Sequence, residues 1–305
     1  MKGLLSDWVR VHYRGLVKEP GQVREVALLA TCLSLVCCGP QNTASSGELS
    51  VLTYNVHGLP SSVTGDDTAG RMAQIAPLLG SFDVVGLQED FVDSNAAILE
   101  LAAVHSNRLR FADLLDSDRV YGSGLALWTN YELLEERAQH FGSCHGLLDG
   151  SADCFASKGF QATRQRLAPG VEVDFYNTHL EAGGGPEDQA ARAQQVQMLV
   201  DALTGFSANH PVVFTGDFNL HSSDPEDSDQ LARLRSEGGL TDSCEDTLCS
   251  EPDRIDRIFF RSSETLQLEA LSWQQELAFF DPQGTALSDH DALSARLAWR
   301  FLAGR

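Results

Sequence analysis

The apolar runs of this chain stop, one after another, on residues that can do chemistry. Val51–Tyr54 ends at Asn55, Val84–Gln88 at Glu89, Phe175–Thr178 at His179, and Val212–Gly216 at Asp217-Phe218-Asn219. Asp256 stands inside the run Arg254–Ile258, and Ser288-Asp289-His290 precedes a last apolar stretch. Short runs rich in Val, Leu, Phe and Tyr and bounded by Gly, Pro, Asp or Asn read as strands. Strands are therefore expected over 50–55, 83–88, 124–128, 171–180, 211–216, 254–260, 266–273 and 292–299. Amphipathic stretches between them predict helices over 69–79, 94–105 and 187–203. The last of these puts Val196, Leu199, Val200 and Leu203 on one face. Ser222–Gln230 reads as a solvated acidic loop. The alternation specifies a layered α/β domain, in which ligand sites gather at strand ends and in the loops that follow them.

At 305 residues, 43% of them hydrophobic, the chain has enough apolar material for one large domain with extensions. A net charge of −21 argues against a general basic face for nucleic acid. It does not argue against work on a phosphate, because a bound cation reverses the local field. No apolar run reaches the roughly 20 residues of a spanning helix. Ala27–Cys38 is uncharged and has the length of a signal-peptide apolar region, with Lys2, Arg10, Arg14, Lys18 and Arg24 upstream. Leu35-Val36-Cys37-Cys38 resembles a bacterial lipoprotein box with Cys38 as the lipidated residue, although Cys37 stands where a small residue is usual. Residues 1–38 are accordingly read as an export leader, 39–47 as a polar linker, and 48–301 as the working domain. The alternative for the leader is a buried N-terminal helix. The domain retains Cys144, Cys154, Cys244 and Cys249. An even number in an exported protein points to two disulfides with three possible connectivities. The local pairs Cys144–Cys154 and Cys244–Cys249 are expected, each closing a short loop.

The strand-end groups form a coherent set. Glu89 and the amide oxygen of Asn55 are hard ligands suited to Mg²⁺, or to Mn²⁺ or Ca²⁺. No Cys or His pair has zinc spacing. An ionised Asp217 can orient and deprotonate a water while Asn219 fixes the geometry. His179 and His290 can donate to a phosphate oxygen, and Asp256 can hold one of them in a single tautomer. A simple ion pair with Arg254 or Arg257 is the alternative for Asp256.

The segments TYNVHGLP (53–60), VVGLQED (84–90), YNTHLEAG (176–183), TGDFN (215–219), DRIDRIFF (253–260) and SDHDAL (288–293) resemble, in order, the endonuclease/exonuclease/phosphatase superfamily of metal-dependent phosphodiesterases. The resemblance spans nearly all of the chain after the leader. It implies a four-layer α/β/β/α sandwich of two packed mixed sheets with a pocket at one edge. It also implies roles: Glu89 as principal metal ligand beside Asn55, Asp217 as activator of the attacking water, and Asn219 and His179 on the phosphate. His290 would act in the transition state, oriented by Asp256, and Asp289 would ligate metal or a metal-bound water. His57 receives no role.

Within the superfamily, three features point to the secreted sphingomyelinase-like branch and a lipid head group. Asp153–Phe160 looks like the segment before the His-bearing strand in bacterial sphingomyelinases, with Lys158 near the phosphate or simply on the surface. Phe279 and Phe280 occupy the place of an aromatic-tipped hairpin that meets the lipid interface; the alternative is an ordinary core strand. The acidic surface and the Cys38 anchor fit a bacterial cell-envelope or secreted monomer. Tyr121–Leu127 resembles the segment of abasic-site endonucleases in which a Tyr approaches the phosphate, so a deoxyribonuclease-I-type nuclease stays open. So does a non-catalytic envelope lipoprotein on the same scaffold.

Overall fold

The computed structural model describes residues 45–112, 119–146, 153–251 and 253–302. The expected leader and Cys38 lie outside these residues. The first sheet contains β1 (Ser46–Asn55), β2 (Val84–Gln88), β3 (Asn107–Arg110), β4 (Ala126–Thr129), β11 (Leu266–Gln275) and β12 (Leu293–Phe301), in the order β11-β12-β1-β2-β4-β3. The second contains β5 (Glu132–His140), β6 (Gly159–Ala168), β7 (Val171–His179), β8 (Val212–Asp217), β9 (Thr241–Asp242) and β10 (Asp256–Arg261), in the order β5-β6-β7-β8-β10-β9. Each sheet has one parallel pair at its centre: β1 with β2, and β7 with β8. The crossovers run through α2 (Thr68–Leu79) and α4 (Pro186–Gly205). Four further helices, α1 (Ser61–Thr64), α3 (Asp93–Leu101), α5 (Pro225–Ser236) and α6 (Ser243–Asp246), complete the described elements with two short 3-10 turns.

Strand parity explains the layers. In β1, Leu52 and Tyr54 pack with Met72, Ile75 and Leu79 of α2, while Val51 faces the other sheet with Val173, Val213 and Ile258. In β8, Val212 and Phe214 meet Val196, Leu199 and Val200 of α4, and Val213 faces inward. Three apolar seams therefore separate four layers, the expected α/β/β/α sandwich. Both expected disulfides, Cys144–Cys154 and Cys244–Cys249, are formed.

Several expectations change. β1 starts at Ser46, inside the stretch read as linker, because Ser46 and Gly47 pair with Arg300 and Trp299. β3, β5 and β6 were not anticipated: β5 carries Glu, Arg and Gln on an edge, and β6 mixes Thr, Arg and Gln with its apolar residues. The acidic loop is in large part α5, capped by Asp224, whose side chain accepts from Asp227 N. Its leading carboxylates suit a helix N-terminus, and Leu231 and Leu234 bury its inner face. α3 ends at Leu101, short of His105. Phe279 is 2% exposed and meets Tyr54 edge-on, with ring centroids 4.9 Å apart. It is a core residue and not an interfacial tip; Phe280 is half-buried and bridged to Ala286.

The inward layer grades from apolar to polar along the strands. Past the valines come Thr53, Asn177 and Thr215. Gln88 Nε2 crosses between sheets to Asn177 Oδ1 at 2.7 Å, and Thr215 Oγ1 reaches the same oxygen at 3.3 Å. Gly86 leaves room for this seam: a Cβ there would overlap Thr215 Oγ1 and stand 2.8 Å from Asn177 Oδ1. Overpacking of this kind costs about 1–3 kcal/mol. Gly86→Ala is expected to lower the denaturation midpoint accordingly without changing the m-value; an unchanged urea midpoint would refute the close approach of the sheets.

Candidate active site

The polar gradient ends where the two parallel pairs end. Asn55 closes β1, Gln88 closes β2 with Glu89 next, His179 closes β7 and Asp217 closes β8, with Asn55 opposite Gln88 and His179 opposite Asp217. Asp256 opens β10 opposite Asp217. A cavity of about 420 Å³ lies at this edge. Glu89, Lys158, His179, Asp217, Asn219 and His290 line its polar side, and Leu59, Val63, Phe91, Tyr121, Phe155 and Ala156 its apolar side.

Parity alone would aim Glu89 at α2. A left-handed backbone (φ 57°) turns it toward the cavity, and His57 (φ 47°) and Asn219 (φ 49°) are turned likewise. Among the described residues only four non-glycines have positive φ, and three are here. Such conformations are costly and cluster at functional sites.

Asn55 ties the two sheets together. Its Nδ2 donates to Glu89 Oε1 at 3.0 Å and to Asp217 Oδ2 at 3.1 Å, and its Oδ1 accepts from His57 N at 3.0 Å. Asn219 N donates to Asp217 Oδ1 at 3.1 Å, while its own amide is held by Leu180 O at 3.1 Å. His290 Nδ1 lies 2.7 Å from Asp256 Oδ2, and its Nε2 is 3.8 Å from Asp217 Oδ2. Ser288 Oγ donates to Asn55 O at 2.7 Å, anchoring the segment that carries Asp289 and His290.

The electrostatics follow from burial and these contacts. Burial works to raise the Glu89 carboxyl, but the His57 ring, 3.7 Å from Oε2, and the Asn55 amide on Oε1 overcome it and hold the group at about 2. Burial pushes the Asp217 carboxyl up to about 7, helped by the charge of Asp256 and opposed by His290, Lys158 and Asn55. Burial would lower the His290 imidazole, yet the hydrogen bond and charge of Asp256 and the charge of Asp217 raise it to about 10. Burial and the Lys158 ammonium lower His179 to about 3, so it is neutral at pH 7.

Of the residues expected at the site, Asn55, Glu89, His179, Asp217, Asn219, Asp256 and His290 meet around this cavity. Asp289 stands further out, its side chain 56% exposed, with Oδ2 3.2 Å from His57 Nδ1. Tyr121 lines the apolar wall 5.8 Å from the Phe91 ring. Lys158 is buried, not on the surface: Nζ is 2.8 Å from Asp153 Oδ1, 3.1 Å from His179 Nε2 and 2.9 Å from Leu180 O. Two contributors went unassigned. His57 Nδ1 sits between the carboxylates of Asp289 and, at 3.7 Å, Glu89. Asp153, next to the Cys144–Cys154 disulfide, carries the Lys158 ion pair and accepts from Ala182 N. Their proximity to the matched motifs was the available signal.

The donor set fits a hard divalent cation. Glu89 is buried and ionised, and its Oε2 has no hydrogen-bond partner, an unsatisfied acceptor that a ligand would complete. Asp217, Asp256 and His290 also place ligand atoms within 4.8 Å of one another. There, however, the His290 nitrogen that faces Asp256 is already engaged and the ring is protonated at neutral pH, which suits proton handling better than ligation.

Residues 52–290 match the Endonuclease/Exonuclease/phosphatase family. The chain belongs to this family. A sphingomyelinase from Mycobacterium tuberculosis is similar over 304 residues at 29% identity, covering 94% of this chain and 60% of that protein. The chain thus spans about 60% of the length of the curated relative it matches. In fold, this family member resembles beta toxin from Staphylococcus aureus in a mutant form with bound magnesium ions (TM-score 0.62, 18% identity, 82% of this chain and 99% of that one). It equally resembles TDP2 from D. rerio complexed with a single-strand DNA product (TM-score 0.63, 18% identity, 82% and 99%). At such identities the likeness shows the fold alone.

Proposed function

We propose that the protein is a Mg²⁺-dependent phosphoric diester hydrolase that cleaves a phospholipid head group, as a sphingomyelinase does. The observation that carries this is the pairing of a buried, proton-accepting Asp217 with a His290 imidazolium held by Asp256, facing Glu89 across one cavity. Its apolar wall and the sphingomyelinase relative favour lipid. The acidic charge, with no interleaved Arg and aromatic surface in the sequence, disfavours nucleic acid.

In this reading Glu89, oriented by Asn55 Nδ2 and with Asp289 outside, holds the cation, which supplies Lewis-acid charge stabilisation at the phosphate when bound; the Asn55 oxygen expected as a ligand accepts from His57 N instead. The carboxylate of Asp217, fixed by Asn219 N and Asn55 Nδ2, accepts the proton of the water that attacks phosphorus. The ester oxygen on the far side leaves with the bonding pair. The His290 imidazolium donates to a phosphoryl oxygen as negative charge builds there, and Asp256 keeps that ring oriented and charged. Lys158 holds the Nε2 lone pair of neutral His179 beside Asp217 Oδ2, which keeps that ring in one orientation. Tyr121 and Phe91 contact the organic part of the substrate.

The deciding experiment is a substrate panel of sphingomyelin vesicles, plasmid DNA and a soluble bis-aryl phosphate, each with Mg²⁺ and with chelator. Lipid and bis-ester should turn over, DNA should not, and chelator should stop both reactions. DNA turnover without lipid turnover would move the protein to the nuclease branch. Full activity in chelator would defeat the metal assignment, and inactivity on all three would leave a binding scaffold.

A further inference from the structure

The ladder between β1 and β12 ends at Thr53 opposite Leu293. Beyond it, the chain after Thr53 and the chain before Leu293 share no strand pairing, yet the first carries Asn55 and His57 and the second Asp289 and His290. A guanidinium spans that gap. Arg71, on α2, donates through Nη1 to Val56 O at 3.1 Å and Leu287 O at 2.9 Å, and through Nη2 to His57 O at 2.9 Å. Its Nε pairs with Asp66 Oδ2 at 2.7 Å. The hydroxyls of Thr64 and Thr68 brace that carboxylate at 2.7 and 3.1 Å. The Arg71 side chain is only 13% exposed.

We propose that Arg71 is a positioning residue that sets the distance between the Asn55–His57 loop and the Leu287–His290 loop, and through them the spacing of the reacting groups. The proposal rests on the phosphodiesterase reading of the cavity. The position set at Val56 and His57 is passed on to Glu89. Val56 N donates to Gln88 O and Gly58 N to Glu89 O, each at 3.0 Å. A Cβ on Gly58 would collide with that Glu89 oxygen, so the loop has no slack against β2. On the other side, Leu287 N is held by Phe279 O at 3.0 Å, and Ser288 by Asn55. Arg71 is thus the donor that addresses both loops at once from the helix beneath them. Its planar fork is what makes this possible. A lysine ammonium, a point charge on a flexible stem, cannot hold three carbonyls in one plane. None of these contacts involves substrate, so the residue acts only through the groups it aligns.

The test compares Arg71→Lys with a substitution at Ile75, one helical turn away in the core beneath β1, chosen as Val or Ala to match its melting temperature. With the soluble bis-aryl phosphate and Mg²⁺, Arg71→Lys should lose about 10–100-fold in kcat, the scale of a small misplacement. Its KM should stay within about twofold of the wild type. Amide exchange at Val56 and Gly58 should speed up by about tenfold. The Ile75 variant should change neither kcat nor exchange at those amides. Should Arg71→Lys fail to fold, Asp66→Asn on the exposed side of the same network takes its place, with both changes expected in milder form. A variant matching the Ile75 control in both kcat and exchange overturns the proposal. If the wild type hydrolyses no diester, the functional reading falls separately. Exchange at Val56 and Gly58 then decides on Arg71 alone, and unaccelerated exchange overturns it.

Discussion

Asp217→Asn is expected to cost about 10²–10⁴-fold in kcat, the range for a lost general base, and at the same time to melt higher than the wild type at pH 8. The second half follows from burial. The Asp217 carboxyl is raised to about 7 by desolvation and by the charge of Asp256, whereas an unfolded aspartate ionises near its ordinary 3.8. A carboxyl raised in the folded state contributes stability that is complete below the unfolded value and lost as pH climbs through the folded one. At pH 8 the native protein therefore carries a buried charge that it would shed by unfolding. A neutral amide of the same shape removes that burden, for a gain of about 2–6 °C in a domain of this size. The gap should narrow below pH 7 and close near pH 4. Paired kcat and calorimetric scans across this range check both halves. A variant that loses activity but melts lower at pH 8 would mean that Asp217 is stabilised by its neighbours rather than strained by them.

The second large effect concerns the partner. His290→Gln should cost a similar factor at neutral pH, because an amide cannot deliver a full positive charge to the phosphoryl oxygen. Asp256→Asn is more telling. In the wild type the imidazolium persists to about pH 10, since Asp256 and Asp217 together outweigh burial. Rate should then be flat on the alkaline side until His290 gives up its proton. With Asp256 neutral, burial remains and the main counter-charge is gone, so the alkaline limb should move down by about 1–3 units. Any stability that this raised imidazole contributes is present below 6.5 and lost toward pH 10. A pH–rate profile of Asp256→Asn that superimposes on the wild type would remove Asp256 from the mechanism; the neighbouring Arg254 and Arg257 pair with Asp242 instead.

Much of this arrangement was legible because strand parity is a strict rule. Val51, Thr53 and Asn55 share a face, as do Val213, Thr215 and Asp217, so apolar runs that end on polar residues imply a graded interior with chemistry at its rim. The alternation itself gives a layered α/β domain; the four layers were implied by the resemblance of the six motif segments. What stayed hidden depends on single backbone angles or on distant chain. Nothing in VVGLQED says that Glu89 adopts φ 57° and turns back toward the cavity. Lys158 looks like any surface lysine until Asp153 and His179 are folded around it. Leu277-Ala278-Phe279-Phe280 has the composition of both an interfacial tip and a core strand; it is a short 3-10 turn that buries Phe279 against Tyr54 and leaves Leu277 exposed. α5 escaped notice because its first turn is acidic, which suits a helix start but reads as a solvated loop. Arg71 gave no signal, since apart from Asp66 its partners are backbone carbonyls and those have no sequence.

β12, the last of the described strands, returns to lie beside β1, the first of them, and His290 sits at its entrance. On the proposed assignment, the donor is aimed only once two strands far apart in the sequence have paired, Ser46 with Arg300 through Thr53 with Leu293. A chain that has not closed this pairing holds the carboxylates without their proton donor, so activity itself reports that the long-range ladder has formed.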